Sequence, residues 1–90
     1  VANVRDKGYL KNVRGNNCLS CGGPSAHAHH LKMVEAAGQG LKVGDEWTVP
    51  LCFECHDALH RYGDEQTWWD IKGVDPKGWA KQNWKEYADR

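Results

Sequence analysis

At 90 residues the chain has room for one domain, and a domain this small buries so little apolar surface that disulfides or a metal commonly supplement its core. Twelve basic residues balance twelve acidic ones, so the overall charge offers no electrostatic pointer to a nucleic-acid partner. No stretch approaches the ~20 apolar residues of a membrane span, and the start, with Arg5, Asp6 and Lys7, lacks the apolar core of a signal peptide; a soluble, cytoplasmic, reducing setting without a membrane partner is expected.

The first segment, residues 1–14, is expected to be a basic arm. Arg5, Lys7, Lys11 and Arg14 outweigh Asp6 there, which fits either a solvated arm or weak phosphate contacts. Residues 15–90 then read as a single unit with no internal repeat. From Gly15 to Pro24, Cys18 and Cys21 sit among Gly, Asn and Ser, as a tight metal knuckle requires. A strand is expected over Ala26–Val34, a loop over Glu35–Asp45 and a second strand over Trp47–Leu51. A helix over Phe53–Tyr62 follows Cys52 and stops at Gly63. Asp64 is placed to cap a short helix carrying Trp68, Trp69 and Ile71, ended by Gly73. Asp75 and Pro76 open a last helix to about Ala88, on which Trp79, Ala80, Trp84, Tyr87 and Ala88 form an apolar stripe. Packing is the expected role of these tryptophans, with base stacking the alternative.

Cys18, Cys21, Cys52 and Cys55 form two CxxC pairs. That pattern reads as a four-thiolate zinc site, with disulfides or a redox-active pair as the alternatives. Four thiolates complete a tetrahedral ion and leave no position for substrate, so such a site is structural. The histidines are left over. His56 and His60 lie four apart on the expected helix, the spacing at which two imidazoles share an ion. His29 and His30 are adjacent on a strand, so only one of them can turn toward that ion. An ion held by three protein groups keeps positions open for chemistry. Surface histidines, or histidines replacing cysteines in one zinc site, are the bland alternatives. His27 shares the parity of His29 but lies nearer the knuckle and is expected to be incidental.

The segments CLSCGGPSAHAHHLKMV and GDEWTVPLCFECHDALH, spanning Cys18 to His60, resemble the HNH, or ββα-metal, nuclease family in the ordered set CxxC, HH, PLCxxCH, xxxH. The continuation HRYGDEQTWWDIKGVDP resembles phage-associated members, including recombination-enhancement nucleases. The resemblance implies a small α+β, treble-clef-like ββα-metal finger over residues 18–62, braced by a four-cysteine zinc, with a helical extension over residues 64–90. It implies His29, His56 and His60 as ligands of a catalytic divalent ion (Mg2+, Mn2+, Ni2+ or Zn2+), and His30 as the general base. The family's middle Asn has no Asn counterpart, and Asp45 is the nearest replacement for holding the base. The implied function is DNA endonuclease, in a bacterial or phage-infected host, with double-stranded DNA as substrate and a recombination or packaging protein as partner. A noncatalytic zinc module that binds nucleic acid or protein is the competing expectation.

Overall fold

The computed structural model describes residues 5–31 and 44–89. Helix α1 (Lys7–Arg14) opens the fold. Asp6 caps it, its Oδ1 accepting from the Tyr9 N–H at 3.0 Å, and Lys11 and Arg14 sit at its C-terminal end, where they favour the helix dipole. This corrects the expected arm over Lys7–Arg14, whereas residues 1–4 of it lie outside the described residues. Tyr9 and Val13, four residues apart, make an apolar face that is fully buried against the strands and the last helix, while Lys7, Lys11 and Arg14 remain on the exposed side. Tyr9 meets Trp84 edge-on with ring centroids 4.8 Å apart, and its hydroxyl accepts from Asn83 Nδ2 at 3.2 Å. Tyr9→Ala is expected to cost about 3–5 kcal/mol, the usual range for emptying an aromatic core position. Urea unfolding measures this, and a stability equal to the parent's would mean that α1 is undocked.

After α1 the chain turns through the first cysteine pair. The Cys18 N–H donates to the Gly23 carbonyl at 2.7 Å and the Gly22 N–H to the Cys18 carbonyl at 2.8 Å. Gly22 has φ +81°, a left-handed conformation that a side chain would strain. The Leu19 N–H then donates to the Pro50 carbonyl at 2.9 Å, hooking this knuckle to the strand that leads into the second cysteine pair.

Strands β1 (His27–His30) and β2 (Thr48–Leu51) form an antiparallel pair, with His27 opposite Leu51, His29 opposite Val49 and His30 opposite Thr48. β1 is shorter than its expectation, of which Lys32–Val34 lie outside the described residues. The same is true of the expected loop as far as Val43. Trp47 does not open the second strand; Asp45–Trp47 form a 3-10 turn, closed by the Thr48 hydroxyl donating to the Asp45 carbonyl at 2.8 Å. Every residue of β2 is buried.

Helix α2 (Phe53–Tyr62) begins at Cys52 and ends at Gly63, whose φ of +89° supplies the left-handed C-cap. Helix α3 (Glu65–Lys72) is capped by Asp64 and closed by Gly73, and α4 (Pro76–Ala88) is capped by Asp75 with Pro76 in its first turn. Trp68, Trp69 and Ala80 from these helices pack on Leu31, Val49, Leu51 and Leu59, with Trp47 and Trp79 at the margin. The tryptophans therefore build the core. Ile71, by contrast, is exposed.

Candidate metal centres

The fold brings the two cysteine pairs together. The sulfurs of Cys18, Cys21, Cys52 and Cys55 all lie within 4.8 Å of one another, and none is in a disulfide. Sulfurs about 2.3 Å from a zinc stand about 3.8 Å apart on a tetrahedron. Cys21 and Cys52 Sγ are 3.7 Å apart, so the donor set fits that ion. Backbone amides already face two of the sulfurs: the Cys21 N–H donates to Cys18 Sγ at 3.5 Å and the Cys55 N–H to Cys52 Sγ at 3.4 Å. Burial opposes ionisation of Cys18, but the backbone N–H groups of Cys21, Cys52 and Ser20 outweigh it and hold the thiol down to about 6. Cys55 is pushed up to about 12 by burial and by the neighbouring sulfurs, foremost Cys52. One sulfur ionises readily and another resists, as expected when four share a space that only a cation lets them occupy as thiolates. The cluster could hold a structural metal such as zinc.

A second cluster stands apart from the sulfurs. Strand parity puts His27 and His29 on the same face of β1, toward α2, and the four-residue spacing on α2 turns His56 and His60 toward them. His29 Nδ1 lies 3.1 Å from His56 Nε2, and His60 Nε2 lies 3.0 Å from the same atom. Nitrogens about 2.0–2.1 Å from one ion stand about 2.9 Å apart at octahedral and about 3.3 Å apart at tetrahedral angles. The observed spacings fall between these. Burial, then the neighbouring His29, His60 and His27, push His56 down to about 4, with Glu65 acting the other way. At neutral pH it is uncharged, the state a ligand needs.

His30 points away from this cluster and meets Asp45, with Nε2 2.8 Å from Oδ1. Asp45 is buried and also accepts from the Asp6 backbone N–H at 2.8 Å, with Arg5 Nη1 3.5 Å away. A carboxylate only accepts, so His30 Nε2 donates, and in the neutral form of the ring Nδ1 carries the lone pair. Arg5, expected among the phosphate contacts, thus lies beside Asp45, whereas Lys7, Lys11 and Arg14 lie along α1.

Burial tends to raise the Asp45 carboxyl, but the hydrogen bonds from His30 and Asp6 and the charges of His30 and Arg5 prevail and hold it below its ordinary value. A carboxyl depressed in the folded state stabilises the fold fully above its unfolded value and loses that contribution as pH falls through the folded one. Asp45→Asn should cost about 1.5–3 kcal/mol at neutral pH, the range for hydrogen bonds to a charged group. The gap to the parent should narrow below about pH 5, as denaturant titrations across pH would show.

Two further residues join the imidazole cluster. His27, expected to be incidental, has Nδ1 2.9 Å from His56 Nδ1; its parity with His29 was the available signal. Glu65 Oε2 lies 2.7 Å from His29 Nε2. It sits in the first turn of α3, past the HNH-like segments that end at His60 and within the stretch likened to phage-associated nucleases, where no ligand spacing marks it.

The fold and sites thus define a small α+β domain with a four-sulfur cluster and a separate three-imidazole cluster. The chain belongs to the family described as "Protein of unknown function (DUF968)", whose model matches residues 2–86. It is 37% identical over 57 residues to "Uncharacterized protein YdfU" of Escherichia coli (strain K12). That match covers 63% of this chain and 16% of the relative's length. No solved structure matches the chain. Among the described residues, no helix is long and apolar enough to cross a membrane.

Proposed function

We propose that the chain is a metal-dependent endonuclease of the HNH, or ββα-metal, type, braced by zinc on its four cysteines, that hydrolyses phosphodiester bonds in DNA. One observation carries this reading: the imidazoles of His29, His56 and His60 converge as a set separate from the sulfurs, while the next residue of the same strand, His30, is held by a buried carboxylate. A module that only binds has no use for that combination.

A divalent ion on His29, His56 and His60 would supply charge neutralisation at the scissile phosphate and the leaving 3′ oxygen during in-line displacement. His30 removes the proton of the attacking water through Nδ1, and Asp45 holds the ring by its Nε2–H and favours the positive charge that it gains. Lys7, Lys11 and Arg14 offer weak, sequence-independent phosphate contacts. Little sequence readout follows from the lack of a long basic recognition helix among the described residues. The likeness of the segment after His60 to phage-associated nucleases supports a phage or prophage setting with a recombination or packaging partner.

The test is supercoiled-plasmid cleavage by the zinc-loaded chain with Mg2+, Mn2+, Ni2+ or added Zn2+, beside a count of metals per chain by native mass spectrometry. Divalent-dependent nicking or linearisation with a second, exchangeable ion is expected. One tight metal per chain and no cleavage with any ion would favour the noncatalytic zinc module instead. Preference for a defined site over random duplex would overturn the low specificity.

A further inference from the structure

A histidine serves an ion only through a ring nitrogen with a free lone pair, and which nitrogen that is depends on what holds the other one. His29 is buried and both its nitrogens are engaged. Its Nε2 lies 2.7 Å from Glu65 Oε2, and because an ionised carboxylate only accepts, Nε2 carries the proton. Nδ1 is then the lone pair facing His56 Nε2. Glu65 is itself held in place. Its side chain is 13% exposed, and Oε2 also accepts from the indole N–H of the fully buried Trp69 at 3.2 Å, one turn further along α3. His56 has a partner on its far side as well: Nδ1 meets His27 Nδ1, which leaves Nε2 toward His29 and His60.

We infer that Glu65 is the positioning residue of the imidazole site, fixing His29 as the Nε2–H tautomer so that Nδ1 faces the ion. The inference rests on reading His29, His56 and His60 as one divalent-ion site. It extends that site to α3, beyond the two HNH-like segments that end at His60. α3 then contributes to ion affinity as well as to the core, through a side chain anchored by Trp69.

A purely structural role is the competing account, because an acidic residue in the first turn of a helix stabilises it. Metal affinity and tautomer separate the two. The full chain, zinc-loaded at the cysteines, is titrated with cobalt(II), whose d–d absorption reports the imidazole site, while thiolate-to-cobalt charge transfer would reveal exchange into the cysteine cluster. The His29 tautomer is read by long-range 1H–15N NMR on the chain with zinc at both sites. Glu65→Ala is expected to weaken cobalt binding by about 10- to 100-fold, the usual loss when the partner of a ligating histidine is removed, and to abolish the fixed Nε2–H form. Glu65→Gln keeps an acceptor oxygen and should lose less affinity while retaining the tautomer. Unchanged affinity and tautomer in Glu65→Ala would overturn the inference. Should that variant fail to fold, Glu65→Gln decides: an Nε2–H form lost although the acceptor oxygen is kept would overturn the inference equally. A parent that binds no cobalt beyond its cysteine-held zinc would defeat the ion-site reading itself, and this inference with it; intact cobalt binding in both parent and variants would defeat this inference alone.

Discussion

His30→Ala is expected to fold, to take up both ions and to cleave supercoiled DNA about 100- to 10,000-fold more slowly than the parent, the range ascribed to a positioned general base. The fold should survive because little depends on this ring. His30 is 40% exposed, and after its removal Asp45 still accepts from the Asp6 N–H and lies beside Arg5. Metal uptake should survive because the imidazoles of the candidate ion site face the other side of β1. Single-turnover cleavage at saturating divalent ion, with metal content measured on the same sample, separates loss of the base from loss of the ion. Activity near the parent's in a folded, metal-replete His30→Ala would remove His30 from the chemistry.

Cys55→Ser is expected to fail differently, losing fold and activity together. The four sulfurs join the knuckle after α1 to the start of α2, so a metal there would clip both flanks of the strand pair. Apparent binding free energies for structural zinc are about 10–16 kcal/mol, while a small domain's whole stability is about 5–15 kcal/mol. Weakening the site therefore threatens the entire balance. Circular dichroism should show Cys55→Ser largely unfolded at neutral pH, and a strong chelator should bring the parent to the same state. A chelated parent that keeps its cooperative thermal transition would show that the hydrophobic core suffices alone.

The contrast between the two variants follows from where each residue stands. Cys55 shares a site with residues from both halves of the chain, so its loss propagates through the fold. His30 ends β1 with its ring at the surface, so its loss stays local.

The parts legible in the sequence were those whose signals are short in range. Asp64 and Asp75 cap their helices, Gly63 and Gly73 end theirs in the left-handed conformation, and α2 runs over Phe53–Tyr62 as the pattern predicts. CxxC spacing and the four-residue interval between His56 and His60 are likewise properties of a turn and a helix, fixed before any tertiary contact forms. Strand parity even divided His29 from His30, since alternation is built into the extended chain.

Long-range partners were not legible in this way. The docking of α1 depends on Tyr9 meeting Trp84 and Asn83 some seventy residues away, so its charged side chains alone read as an arm. Glu65 reaches His29 across 36 positions, and Asp45 meets the Asp6 backbone across 39. Such pairings depend on how the strand pair, the 3-10 turn and the helices stack around Trp69 and Leu31, that is, on burial of apolar surface, which has no directional code in local sequence. Which residues could hold metal, and on which elements they ride, is written locally in the chain. That the sulfurs and the imidazoles form two separate clusters, and which carboxylates hold His29 and His30, is set by packing between elements distant in the chain.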